Sequence, residues 1–480
     1  MMRHVLKYAL GVSVLAVAAT GCNSFLESES AINDPNQPTQ ATRDQLFIAI
    51  QAGQIAQQEA GVAMFSCLMI QHCSGSGNFV EGWAQYAINS GSHNVDFNQV
   101  FTGGGLVDLR RVKALADADG DKVYLGIVKT WEALAVSFGA DNWGDIPYSD
   151  SSSTPSFDRQ MAVYDALQTL LDEAIADLGG SGAGPGPLDL TYGGDKTKWR
   201  QAAFTLKARL YLHTAEVRGA AAYTAAIAAA NNGISTRTND FLAFHGNGTN
   251  ERNMWYQFAN TTFGQYLKAG EALVELMKAR GDNQRLSQYF SEVAPGQYRG
   301  SNVNAPTELA VSEVATVPSS TRIDPTFRQP ILTYDETQLI LAEAKERTTG
   351  VATAQLHLNN VRTFYGLPIA AATLQAIAEE EYVTYFQNVE AWQSYKRTCY
   401  PNLTPYLDAD PPLIPSRLYY GQTEENANPN VPGQGEQNTL GGVGKRNRGT
   451  EPTGSTAAPG MNPNDPPGGT VNNAGACLGT

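Results

Sequence analysis

Positive charge is scarce in this chain. Lys and Arg number 33 against 47 Asp and Glu in 480 residues, for a formal net charge of −14. The basic residues are scattered and form no stripe, so the surface repels phosphates and anionic headgroups, and nucleic-acid binding is excluded. Long apolar runs are missing too. Past the N-terminus no stretch reaches the ~18 apolar residues that a membrane span requires. Cysteine is rare, with five in all. Cys67, His72 and Cys73 sit close together, but adjacent His72 and Cys73 lack the C-x₂₋₄-C spacing that tetrahedral zinc sites prefer. Catalytic and cofactor motifs are also lacking. Gly179-Gly180-Ser181-Gly182-Ala183 has Ala where a nucleophile elbow needs its last Gly, and its loop has no phosphate-loop Lys. The DADGD run at 117–121 puts Gly fourth and no Glu twelfth, which fails as a calcium loop and reads as a turn with an N-cap Asp. No acid/base signature of a glycosidase is recognisable. The expectation is a protein with no enzymatic activity, no metal and no cofactor.

What is present begins at the N-terminus. Arg3, His4 and Lys7 form a basic start, Tyr8 to Ala19 is apolar, and Ala19-Thr20-Gly21-Cys22 precedes a polar stretch. That is the layout of a secretory signal, 1–21, with small residues before Cys22 as in a bacterial lipobox, so Cys22 is the expected lipidation site. Ala16-Val17-Ala18 is a rival cleavage site that would release a soluble product. Removing the signal takes away Arg3 and Lys7 and leaves the mature chain near −16. An exported chain can form disulfides. Cys67, Cys73, Cys399 and Cys477 allow three pairings, of which Cys67–Cys73 with Cys399–Cys477 is the most local.

With 42% hydrophobic and 9% aromatic residues the mature chain is globular. Residues 22–40 read as a tether with turns, and 41–240 as a scaffold of helical hairpins interrupted by a loop at 75–105. Val123, Ile127, Trp131 and Leu134 make one apolar helical face, as do Val163, Leu167, Leu170, Leu171, Ala174 and Leu178. Further helices are expected over 199–213, 220–230, 334–344, 352–364 and 374–385. Residues 241–330 read as a loop-rich ligand lobe, 331–400 as further hairpins, and 401–480 as an irregular Gly/Pro-rich tail. The fold class is therefore mostly α: tetratricopeptide-like hairpins, in units of roughly 35–45 residues, stacked so that each buries the apolar face of the next.

Several segments, in order, carry a family likeness: CNSFLE from Cys22 with the following NDPNQP, NWGDIPY from Asn142, YDALQTLLDEAIADL from Tyr164, and KWRQAAFTLKARLYLH from Lys198. ILTYDETQLILAEA from Ile331, EAWQSYKRTCYPNL from Glu390 and IPSRLYYGQTEENAN from Ile414 complete the series. The chain resembles the SusD/RagB family of outer-membrane nutrient-binding lipoproteins. The short stretch from Gly105 to Tyr148 and the tail after Asn428 depart from that pattern. The resemblance implies four tetratricopeptide-like hairpins carrying a ligand lobe, a lipid anchor at the cell surface, and a SusC-like TonB-dependent transporter as partner. It implies capture of a nutrient, most often an oligosaccharide and sometimes a peptide, without a cofactor. A surface glycoside hydrolase is the more distant alternative.

Within that reading the motif residues are architecture. Trp143 and Tyr148 pack at a helix end, Glu336 and Glu343 are solvated or ion-paired rather than a catalytic pair, and Trp392 and Lys396 pack and cap. Binding residues belong in the two long loops, because aromatic faces stack on the C–H faces of sugars while amide and Arg side chains bond hydroxyls. Trp83, Tyr86 and Asn89 are the candidates in the first loop; Arg252, Asn253, Trp255, Tyr256 and Phe258 are those in the second.

Overall fold

The computed structural model describes residues 41–306, 311–312, 322, 324–398, 400–409, 414–415, 417–432, 470–471 and 477–478. The signal, Cys22, the tether, the Cys399–Cys477 pairing and most of the tail lie outside the described residues.

Two helices, α1 (Arg43–Glu59) and α2 (Gly61–Met69), lead into strand β1 (Cys73–Gly75). Two short helices follow, α3 (Asn78–Ala84) and α4 (Asn94–Gln99), and then the first long hairpin, α5 (Leu106–Ala118) and α6 (Lys122–Trp143). Next come α7 (Gln160–Asp177), α8 (Lys196–His213), α9 (Ala215–Arg218) and α10 (Ala220–Ala230). The segment from β2 (Phe241–Leu242) to β4 (Pro330–Leu332) holds α11 (Met254–Ala259), β3 (Leu267–Ala269), α12 (Glu271–Arg280) and α13 (Asn283–Tyr289). The last helices are α14 (Tyr334–Thr349), α15 (Val351–Arg362), α16 (Leu374–Thr384), α17 (Glu390–Thr398) and α18 (Gln422–Ala427).

The hairpins form where local chemistry ends one helix and starts the next. Asp121 accepts from the Tyr124 amide at the start of α6, Asp195 from Thr197 and Lys198 at α8, Thr333 from Glu336 at α14, and Thr373 from Ala376 at α16. Asp121 therefore caps, as its sequence context implies. Gly350, at φ 90°, is the single residue between α14 and α15; only a glycine turns the chain there without strain.

Consecutive helices pack in order: α5 on α6, α6 on α7, α7 on α8, α8 on α10, α10 on α14, and α14 on α15 and α16, which carries α17. Small residues allow this close stacking. A Cβ on Gly126 of α6 would meet Leu178 at 2.6 Å and the Ala174 carbonyl at 2.8 Å. The alanines of α10 interlock with Ala208 and Leu212 of α8 and with Ile340, Leu341 and Ala344 of α14. Trp131, Trp199 and Phe241 meet ring to ring at 5.1 to 5.8 Å in the core. The chain is thus mostly helical and built from stacked hairpins. Among the described residues no helix is long and apolar enough to cross a membrane.

Three readings of irregular structure need correction. The loop at 75–105 contains α3 and α4, and the lobe at 241–330 contains α11, α12 and α13. Most of these are six or seven residues long, too short to display a helical period. Ile414, Leu418 and Tyr420, placed in the tail, belong to the core. The indole of Trp143 donates to the Tyr419 carbonyl at 2.8 Å, the indole of Trp392 to Pro415 at 2.9 Å, and Ile414, Leu418 and Tyr420 are buried.

Buried ion pairs tie the helices together. Arg209 of α8 forks onto Glu336 of α14 at 2.5 and 2.7 Å, and His213 of α8 lies between Asp141 of α6 at 2.9 Å and Glu390 of α17 at 3.1 Å. Glu343 is held by Arg347 and Arg397. Both Glu336 and Glu343 are therefore ion-paired and buried, not solvated. Glu380 of α16 joins the lobe to the hairpins: Arg285 of α13 reaches it at 2.7 Å, Arg362 of α15 at 3.5 Å, and Arg280 of α12 bonds it directly.

Burial pushes the Glu380 carboxyl up, but Arg285 and Arg280 outweigh burial and hold it below its ordinary value. Its contribution is present in full above the ordinary carboxylate range and fades as pH falls through the depressed folded value, because the unfolded chain takes up the proton first. Glu380→Gln would leave three guanidinium groups without their shared partner, at a cost of about 3–5 kcal/mol near neutral pH. Urea denaturation across a pH series should show this gap between variant and parent narrowing in acid. A gap that is constant or widens would remove Glu380 as the clamp.

Candidate functional site

The two stretches that hold the sequence candidates meet. β1 and β3 pair antiparallel with Cys73 opposite Ala269 and Gly75 opposite Leu267, and the Ser76 amide extends the contact to the Tyr266 carbonyl at 3.0 Å. Cys73 is bonded to Cys67 of α2, so the pairing expected for these two cysteines is present. The crosslink closes a short turn in which Gln71 has φ 56°. α3 follows at once, anchored by buried Val80, and presents Phe79 and Trp83 four residues apart on one face.

Phe79 is the hub. Its ring centroid lies 5.0 Å from Trp83, 5.1 Å from Phe263 and 6.4 Å from Phe258, all near edge-to-face. Trp83 continues inward to Phe65 at 6.1 Å and His93 at 5.2 Å, and Phe65 touches Trp392 at 5.8 Å. An aromatic ridge therefore runs from the core to the surface, where Phe79 and Phe263 remain 36% and 38% exposed. Aromatic side chains this accessible offer apolar ring faces, and their edge contacts fix their orientation before any ligand arrives. Exposed amide and hydroxyl side chains stand beside them in the chain: Asn78, Asn260, Thr261, Thr262 and Gln265.

The structure brings Trp83 and Phe258 into this ridge. The other candidates are placed differently. Tyr86, at φ 65°, accepts on its hydroxyl from the Tyr406 amide at 3.2 Å; burial pushes its phenol above the ordinary value. Asn89 is exposed, and its Oδ1 closes a local turn onto the Gly91 amide at 2.8 Å. Arg252 is half-buried, with Nε on the Asn247 carbonyl at 3.2 Å, and Tyr256 is half-buried on α11. Asn253 and Trp255 need correction as contact residues. Asn253 is wholly buried, accepting from the Tyr256 amide at the start of α11 and donating to the Phe327 carbonyl at 3.2 Å. Trp255 is 2% exposed, so its ring supports α11 from beneath. Of the six residues of this helix only Trp255 is buried, while Phe258 is half-buried with the rest.

Phe79 and Phe263 were not singled out by the sequence. The available signal was the spacing of Phe79 and Trp83, a helical i, i+4 pair inside a stretch otherwise read as loop.

Other candidate features carry less. A cleft of about 830 Å³ beside α12 is lined by Glu271, Glu275, Lys278, Tyr298 and Asn302, among others. Much of its polar lining is already paired, Glu275 with Lys278 at 2.8 Å and Glu271 with Asn302 at 2.7 Å, and Tyr298 is its one aromatic ring. Among the described residues no cluster of three His, Cys, Asp or Glu could hold a metal ion. His72, beside the crosslink, is fully buried, and burial pulls it down to about 3, so it is a neutral packing group.

The comparisons agree with this architecture. A family model described as SusD-like, starch-binding associating with outer membrane, matches residues 35–421. A SusD/RagB family protein from Bacteroides thetaiotaomicron superposes with a TM-score of 0.69 at 17% identity, covering 86% of this chain and 99% of that one. A chitin-binding protein gives 0.69 at 23% identity, covering 84% and 97%. A chitin-binding SusD homolog from Flavobacterium johnsoniae gives 0.63 at 18% identity, covering 80% and 92%. No curated protein matches the sequence.

The placement of the two aromatic types makes a direct prediction. Trp255→Ala empties a buried site and should lower stability by about 3–5 kcal/mol. Phe263→Ala, at a partly exposed edge, should cost clearly less. Chemical denaturation of both variants checks this, and equal losses would mean that Phe263 is a packing residue rather than a presented one. Opening the Cys67–Cys73 crosslink with a double Ser variant should cost about 2 kcal/mol by loop-closure entropy.

Proposed function

Because the chain belongs to the SusD-like family of starch-binding proteins associated with the outer membrane, we propose that it captures a glycan at the cell surface on the ridge formed by Phe79, Trp83, Phe258 and Phe263. The observation that carries this is the ridge itself: aromatic rings from two distant stretches, locked edge-to-face, with two of them left in solvent. It is their clustering that matters: rings held together form one contiguous apolar face, the kind of patch that marks an interaction site. Sugar C–H faces stack on the rings, while the neighbouring amides and hydroxyls bond sugar hydroxyls. Each stacking contact contributes about 0.5–1.5 kcal/mol, so several must act together.

The protein acts as a binder. The carboxylates whose spacing invites a catalytic reading, Glu336 and Glu343, are buried under Arg209, Arg347 and Arg397 and cannot reach a substrate. Captured glycan passes to a SusC-type TonB-dependent transporter, which the helical hairpins contact. Lipid on Cys22 holds the protein on the membrane, and the polar segment to residue 40 acts as the leash.

Calorimetric titration with maltooligosaccharides and chitooligosaccharides should give binding that is abolished in a Phe79→Ala, Phe263→Ala double variant whose melting curve stays cooperative. Undiminished binding in that variant would move the site elsewhere. In cells, Cys22→Ser should shift the protein out of the membrane fraction and stop incorporation of labelled fatty acid; retention of label would point to another anchor.

A further inference from the structure

The surroundings of the ridge restrict which glycans it can take. The ridge is built from two stretches, 76–90 and 253–267. The second contains no charged residue at all, and the first contains one, Glu81. Glu81 lies on α3 two residues from both Phe79 and Trp83, on the side of the helix away from their shared face, with Gln85 donating to it at 3.3 Å. The cations that border these stretches are not arranged to receive a polyanion. Arg252 stands before the start of α11, at the opposite end from Phe258, with its Nε on the Asn247 carbonyl. Lys268, half-buried on β3, is already engaged. His93, behind Trp83, is buried, with Nδ1 on Asp96 at 3.1 Å.

A polyuronate or a sulfated chain laid along Phe79 and Phe263 would therefore meet exposed neutral side chains and no cation from these two stretches. It would lose hydration of its own charges without gaining an ion pair. The net charge of −14 adds a repulsive field on approach. An uncharged chain loses nothing of the kind, and Asn78, Asn260, Thr261, Thr262 and Gln265 suit its hydroxyl or acetamido groups. We propose that the aromatic ridge selects uncharged glycans and rejects polyuronates and sulfated polysaccharides. This rests on the reading of the ridge as the glycan site.

The test is affinity electrophoresis of the mature chain through gels containing starch, glycol chitin, polygalacturonate or heparin, at low and at high salt. Retardation is expected in at least one neutral gel, insensitive to salt and lost in the Phe79→Ala, Phe263→Ala variant, with none in either anionic gel. Thr262→Lys, which adds a cation at an exposed position beside Phe263, should gain affinity for polygalacturonate by roughly threefold. Retardation of the parent by polygalacturonate or heparin, lost with the ridge, would overturn the selectivity and leave the glycan site standing. Neutral binding that survives loss of the ridge, or retardation in no gel, would overturn the site and the selectivity with it.

Discussion

Arg209 and His213 sit one turn apart on α8, and the hairpin stack is organised around them. Arg209 reaches Glu336 on α14 and, at 3.3 Å, Glu390 on α17. His213 faces Glu390 with one ring nitrogen and Asp141 on α6 with the other. Asp141 also accepts from the Tyr164 hydroxyl of α7 at 2.5 Å, and its carbonyl receives Lys396 of α17 at 2.7 Å. Five helices thus converge on one buried set of charges. With carboxylates on both sides the imidazole must carry both protons: burial pulls it down, but Asp141 and Glu390 overcome that and hold it up at about 9. Each of these ions costs several kcal/mol to remove from water, and only this set of partners returns that energy. A hairpin shifted by one turn would strand a charge, so breaking the network costs far more than its intact pairs contribute in net stability.

This explains why the segments that carry the family likeness look as they do. KWRQAAFTLKARLYLH supplies Arg209 and His213, ILTYDETQLILAEA supplies Glu336 and Glu343, and EAWQSYKR supplies Glu390, Lys396 and Arg397. Taken alone, each acidic residue in such a helix reads as solvent-exposed, because a single chain does not show which Arg faces it. The long helices were legible for the opposite reason. Their apolar periodicity is a property of one segment, and α6, α7, α8, α10 and α14 begin or end within a few residues of where that periodicity places them.

The short elements were not legible. α3, α4 and α11 are too brief for a period, and their aromatic residues face both ways. Trp83 and Trp255 look alike in sequence, each in a polar stretch with aromatic neighbours. What separates them is tertiary. β1 pairs with β3 and sets α3 at the surface, while Asn253, bonded to the Phe327 carbonyl and the α11 backbone, rolls Trp255 inward. The burial of Ile414, Leu418 and Tyr420 was not legible for the same reason, since the packing of this segment depends on Trp143 and Trp392, far away in the chain.

Scaffold and ridge therefore answer to different constraints. The scaffold is tied together by buried charges on five helices, and its architecture is shared with structures of 17–23% identity. The ridge needs only a rigid base and rings at its edge. The Cys67–Cys73 crosslink, the β1–β3 pairing and the stack from Phe79 through Trp83 and Phe65 to Trp392 provide that base, and none of them dictates which polar side chains surround the exposed rings. Those polar positions can change without disturbing the charge network on α8. On the proposed reading of the ridge, the shared fold says little about which glycan is taken, and that choice falls to the uncharged residues beside Phe79 and Phe263.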